Sequence, residues 1–158
     1  MNKWAKTSLV ALRLTMGWVY LYAGYAKIID PTWTAAGYLS NAKTFPGFYQ
    51  WFASSANIEW VNLLNMGGLF LIGAALILGA GVRLASYMGV LITVLYYFPV
   101  LTFPEVGAHG YIIDDHIIYA LVFVLFAAFA AGRTWGLDGW LERKGLFNRL
   151  PWLAKIWG

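Results

Sequence analysis

Cysteine is absent from the 158 residues, and charged residues make up only 11% of them. The first absence excludes disulfides, thiol redox chemistry, cysteine-ligated zinc and cysteine-ligated iron–sulfur clusters. It leaves the compartment open. The second excludes an ordinary soluble domain, in which about a quarter of the residues are charged and roughly half apolar. Here 61% are hydrophobic. Also missing are a phosphate-binding glycine loop, a dinucleotide fingerprint and a Ser–His–Asp pattern. No residue type in this chain carries electrons by itself, so a redox function requires a bound carrier. The length allows one domain. The net charge of +4 does not point to nucleic acid, because the basic residues sit beside apolar runs, as topology signals do.

What is present is a set of long apolar runs. A membrane-crossing helix needs about 20 mostly apolar residues. Residues 5–26, 60–78, 84–100 and 112–131 qualify, the third being short and ended by Pro99. The expected fold class is an all-α integral membrane protein. It is a four-transmembrane-helix bundle with an interfacial outer loop (27–59) and an amphipathic C-terminal tail (132–158). Lys3 and Lys6 resemble the start of a signal peptide, but Arg13 interrupts the apolar stretch and no A-x-A site follows, so an uncleaved first helix is expected. Lys3, Lys6, Arg83, Arg133, Arg143, Lys144, Arg149 and Lys155 all fall on one side of these spans. The other side has Lys27 and Lys43 against Asp30, Glu59, Glu105, Asp114 and Asp115. Cytoplasmic loops carry the lysine and arginine excess, which places both termini in the cytoplasm and leaves an acidic outer face.

The outer loop holds Trp33, Tyr38, Phe45, Phe48, Tyr49, Trp51 and Phe52. Such aromatics form either an interfacial belt or a lid over a pocket that opens to the membrane. In the tail, Trp140, Leu141, Leu146, Phe147, Trp152, Ile156 and Trp157 alternate with basic residues, as in a surface anchor. The first span carries Arg13, Gly17, Tyr20, Gly24 and Lys27 at spacings that put all five on one helical face. Glycines there admit a neighbouring backbone. Arg13 either faces protein or water with a partner, as an intramembrane functional residue would, or snorkels to the inner headgroups. In the second span Asn62 and Asn65 read as interhelical glue, with Gly68, Ala75 and Gly79 on the Asn65 face.

Asp114 and Asp115 open the fourth span, where the helix dipole favours negative charge, and His116 beside them can respond to pH near neutrality. Lys27 can pair with Asp114, Asp115 or Glu59 and make a cluster that binds or moves protons. Glu105, His109, Asp114, Asp115 and His116 match no metal motif, and no metal or haem ligation is assigned to His109 or His116. The candidate catalytic residues are therefore Arg13, Lys27, Asp115 and His116. A quinone needs an apolar slot open to the membrane, hydrogen-bond donors at its carbonyls and a proton route. Tyr20, Tyr22, Tyr96 and Tyr97, with His116, are the candidate donors.

Five stretches resemble a known family. LRLTMGWVYLYAGYAK (12–27) resembles the opening of the DoxX/DoxD membrane proteins, and DPTWTAAGYL (30–39) is more similar to the DoxD branch. GGLFLIGAALILGAGVRLA (67–85), DDHIIYAL (114–121) and AGRTWGLDGWL (131–141) agree in order. The resemblance implies a four-helix bundle in a prokaryotic plasma membrane. For the DoxD branch it implies the membrane subunit of a thiosulfate:quinone oxidoreductase, with a DoxA-like second subunit as partner. Thiosulfate is a dianion and the outer face is acidic, so either Lys27 and Lys43 make a local exception there or the partner binds the sulfur substrate. The alternative expectation is a non-catalytic anchor or scaffold for another protein. A small transporter or homo-oligomer ranks last, because each span has few polar residues.

Overall fold

The computed structural model describes residues 1–107, 110–145 and 156–157. The expectations for His109 and for Leu146, Phe147 and Trp152 of the tail lie outside these residues. The chain forms helices α1 (Lys3–Ile28), α2 (Ala36–Ser40), α3 (Pro46–Ala53), α4 (Ile58–Leu78) and α5 (Val82–Val100). Strands β1 (Leu101–Thr102), β2 (Glu105–Val106) and β3 (Gly110–Tyr111) follow as a small antiparallel sheet in sequence order. Helix α6 (Asp115–Ala128), a 3₁₀ turn (Ala131–Arg133) and α7 (Leu137–Arg143) complete the described structure.

Helices α4 and α5 are long and apolar enough to cross a membrane. The expected span 112–131 is shortened at both ends. Ile112 takes a left-handed conformation (φ 58°) and Asp114 caps the helix, while Ala130 (φ 45°) breaks it before the 3₁₀ turn. The 14 residues left in α6 extend about 21 Å at 1.5 Å per residue, against about 30 Å of hydrocarbon. Helix α1 is longer than expected, because the Asn2 side chain accepts the Ala5 N–H and starts it early. Inside the outer loop lie the two short helices α2 and α3.

Helix α1 packs antiparallel on α4, and glycines set the distance. A Cβ on Gly24 would lie 2.4 Å from the Phe70 amide nitrogen, and one on Gly73 2.2 Å from that of Leu21. Such close approach replaces side-chain packing with backbone contact, as small residues do between membrane helices. The stripe through Gly17, Tyr20 and Gly24 is thus buried as the spacing predicts. The stripe on α4 is different: Gly68 has no atom within 4 Å of its Cβ position, and Gly73 makes the contact instead. Helix α5 pairs with α6, where the Phe123 ring lies over Gly89. Tyr20 bridges the pairs, edge-on to Phe123 and hydrogen-bonded to Thr93 at 2.7 Å. Met16, Leu69, Ile72, Leu76 and Phe126 fill the remaining core.

One end of the helices is basic, with Lys3, Lys6, Arg83, Arg133 and Arg143, and is tied by Asp138 and Arg13. The fully buried Asp138 carboxylate accepts the N–H groups of Gly81 (2.8 Å) and Val82 (3.1 Å), capping α5 from a distant part of the chain. Its own N–H donates to Gly79 at the end of α4. Arg13 donates to the carbonyls of Ala131, Thr134 and Trp135. The AGRTWGLDGWL stretch is therefore a strap that joins α1, α4 and α5. Its glycines are needed for clearance: a Cβ on Gly132 would lie 2.0 Å from Asp138 Oδ2.

At the other, acidic end, Pro99 lies in the last turn of α5, which stops one residue later. Proline has no N–H to offer the carbonyl four residues back, here Leu95. The Tyr49 hydroxyl donates to that carbonyl at 3.0 Å, and the Tyr38 hydroxyl donates to the carbonyl of Tyr96. Lys43 N–H and the Thr44 hydroxyl bind the carbonyls of Pro99 and Leu101. The loop aromatics are in this way latched onto α5.

Candidate functional site

Helices α4 and α5 are joined by a tight turn through Gly79 and Gly81, both with positive φ, and they diverge from it. A groove of about 640 Å³ lies between them. Leu64, Leu71, Ala75, Leu84, Met88 and Leu91 line its length. Tyr49, Phe52 and Trp60 stand over its acidic end, and Trp157 lies against Gly81 at its basic end. A volume of several hundred Å³ with mostly apolar walls and few polar groups is the usual form of a small-molecule site.

The polar pair in its wall is Asn65 and Tyr96. The Asn65 amide nitrogen donates to the Tyr96 hydroxyl at 2.5 Å. Tyr96 then keeps its own hydrogen to donate. Asn65 Oδ1 is shielded from solvent and has no hydrogen-bond partner. An unpaired buried acceptor costs about 1–3 kcal/mol, so a donor brought by a ligand is stabilising there. Behind Tyr96 its ring meets His116 edge-on, with centroids 6.2 Å apart. His116 Nδ1 lies 2.6 Å from Asp114 Oδ2, and Asp114 also accepts the N–H groups of His116 and Ile117 as the cap of α6. This fixes the ring and leaves Nε2 as its other functional nitrogen.

The other candidates are distributed as follows. The carboxylate on His116 is that of Asp114, whereas Asp115 is exposed. Lys27 donates to the Ala23 carbonyl and lies 5.3 Å from the Trp33 ring centroid. Among the described residues no carboxylate lies within ion-pair distance of it. Arg13 is at the opposite end of the helices, on the strap. Tyr20 is buried on Thr93, Tyr22 is exposed and stacked on Trp18, and Tyr97 donates to the Ile112 carbonyl. Of the four tyrosines, Tyr96 lines the groove. Asn62, expected as interhelical glue, accepts the Ala35 N–H and holds the outer loop. Among the described residues no three His, Asp or Glu side chains stand close enough to share a metal ion.

Sequence reasoning missed Asn65 as a groove residue and Asp138 as a cap. The first carried a usable signal, since a lone amide above Gly68 and Ala75 marks a face too small to fill its own space. In the C-terminal strap, burial pushes the Asp138 carboxyl above the usual carboxylate range, and the Gly81 and Val82 amides and then Arg13 draw it back. In the outer loop, burial raises the Tyr49 and Tyr38 hydroxyls, keeping both protonated as donors to α5.

Residues 8–102 match the family model described as DoxX. No curated protein and no solved structure gives a match.

Proposed function

That match spans more than half of the chain, which therefore belongs to the DoxX family of membrane proteins, and from this premise we propose that it is a quinone-binding membrane subunit of an oxidoreductase. In this reading α1, α4, α5 and α6 all cross the bilayer, both termini face the cytoplasm of a prokaryotic cell, and the acidic end lies outside. The thinner reach of α6 is met by the sheet and the 3₁₀ turn at its ends. The observation that carries the proposal is the pairing of an apolar groove between α4 and α5 with a single polar pair, Asn65 and Tyr96, in its wall.

The residues fit a quinone head. The Tyr96 hydroxyl has a hydrogen to give a carbonyl, and Asn65 Oδ1 has a lone pair for a hydroxyl, so the two oxidation states are both accommodated. A bound quinone supplies acceptance of two electrons and two protons. The chain's part is to bind and orient the head, exclude water with Tyr49, Phe52 and Trp60, and hold a proton near it. His116, fixed by Asp114 beside Tyr96 and close to the acidic surface, suits that last role. The electron donor belongs to a partner subunit. Were it thiosulfate, the carboxylates at the acidic end would disfavour its binding on this chain.

Mass spectrometry of the gently solubilised protein tests this. Bound lipoquinone is expected in the wild type and is expected to fall about tenfold or more in Asn65→Leu and Tyr96→Phe, given ~1.4 kcal/mol per tenfold and a charge-free hydrogen bond of similar size. Wild-type protein that carries a partner subunit but no quinone, from quinone-replete membranes, would instead support the scaffold reading.

A further inference from the structure

At the basic end a second cavity, of about 290 Å³, is lined by Lys6, Arg133, Thr134, Trp135 and Arg143. Its three cations come from separate parts of the chain: the first turns of α1, the 3₁₀ turn, and the last residue of α7. Among the described residues, the Glu142 carboxylate is set against them, 3.1 Å from Arg133. The strap assembles the cavity. Arg13 ties α1 to the carbonyls of Ala131, Thr134 and Trp135, which fixes Lys6 relative to Arg133. Asp138, bound to Gly79, Gly81 and Val82, sets where α7 begins and hence where Arg143 lies.

The surroundings say what kind of anion fits. Trp135 forms one wall, is held at φ 51° and is 63% exposed. Trp4 is 82% exposed at the start of α1, and Trp140 is half-exposed on α7. Exposed indoles beside cations at the end of apolar helices mark the membrane–water boundary. Basic pockets at that depth take the headgroups of anionic lipids. We propose that this cavity binds the phosphate ester of an anionic phospholipid, with Lys6, Arg133 and Arg143 on the phosphate and Trp135 against the glycerol and upper acyl chain. The site is separate from the groove between α4 and α5 and does not depend on what the groove holds.

Native mass spectrometry of the whole protein in mild detergent provides the test. Phosphatidylglycerol, phosphatidylcholine of the same acyl chains, and inorganic phosphate are titrated separately and in competition. Phosphatidylglycerol is expected to bind at least about tenfold more tightly than phosphatidylcholine, from roughly one favourable charge contact per basic residue. Lys6→Gln with Arg143→Gln is expected to remove that preference, and Lys6→Arg with Arg143→Lys to keep it. Equal binding of the two lipids by the wild type would overturn the proposal. So would phosphatidylglycerol selectivity unchanged in the glutamine variant. Displacement of the lipid by millimolar inorganic phosphate would assign the cavity to free phosphate and overturn the lipid reading. A glutamine variant that melts early is judged by its charge-preserving counterpart, whose loss of selectivity would count against the proposal.

Discussion

Removing the Arg13 guanidinium would take the side-chain donor from three carbonyl oxygens, of which that of Ala131 keeps the Thr134 N–H at 3.3 Å. Those of Ala131 and Thr134 lie 2.5 and 3.0 Å from Nη1, and that of Trp135 lies 3.4 Å from Nη2. Arg13→Ala is therefore expected to destabilise the protein by on the order of 3 kcal/mol, from the lost hydrogen bonds of a charged donor and the part-buried acceptors left unpaired at Thr134 and Trp135. Arg13→Lys should recover only part, because a compact ammonium cannot replace a planar fork that serves several acceptors. Thermal unfolding in detergent reads both variants, and a wild-type midpoint for Arg13→Ala would rule out the strap as a stabilising element. The sequence showed that Arg13 shares a face with Gly17 and Tyr20, but left open whether it meets protein or snorkels to the headgroups, and the structure buries it. Nor could the sequence show the partner, since main-chain oxygens some 120 residues away carry no residue signature. His116 is a similar case: two adjacent aspartates were legible, but only the cap geometry selects Asp114 over Asp115.

Single elements are decided by what their ends lack. Pro99 leaves the Leu95 carbonyl without its helical donor, and Tyr49 supplies one from α3. Tyr49→Phe should cost about 1–3 kcal/mol in the native background. In a Pro99→Ala background, where residue 99 regains an N–H, the same change should cost much less. A double-mutant cycle measures this coupling, and strictly additive effects would show that the latch does not depend on the proline. The sequence marked Pro99 as a helix end and the loop as aromatic, but not that one needs the other. It also pointed to the wrong packing face of α4. That helix is apolar all round, so hydrophobic contrast is lost. Asn65, Gly68 and Ala75 were taken for a packing face, yet they line the groove and Gly73 makes the contact.

For the whole molecule, the strap makes one carboxyl matter to global stability. Burial raises Asp138 above its value in an unfolded chain. Over the pH range between those two values the folded state holds a proton that the unfolded state has released, so stability falls as pH rises through it and levels off above. Asp138→Asn should flatten that slope while lowering the midpoint, because an amide has one acceptor for the two N–H groups of Gly81 and Val82. Melting curves across the acidic range of pH check it, and an unchanged slope would assign the dependence to another group. The long helices α1, α4 and α5 were legible from the apolar runs, as was the shorter α6. Their pairing, α1 with α4 and α5 with α6, was not, because contacts between membrane helices rest on close fit, not on exclusion from water. The short reach of α6 was hidden for a different reason: Ile112, Ile113 and residues 129–131 are as apolar as the helix, and only backbone conformation removes them from it.

The groove is stopped at one end by Trp157 and roofed at the other by Tyr49, Phe52 and Trp60, while Leu64, Leu71 and Leu91 along its lips are more than half exposed. Under the proposed function, the quinone slides in broadside, like a drawer, from between the acyl chains. Its supply is then governed by two-dimensional diffusion within the bilayer, and stiffening the lipid should slow turnover even when the concentration in the surrounding water is unchanged.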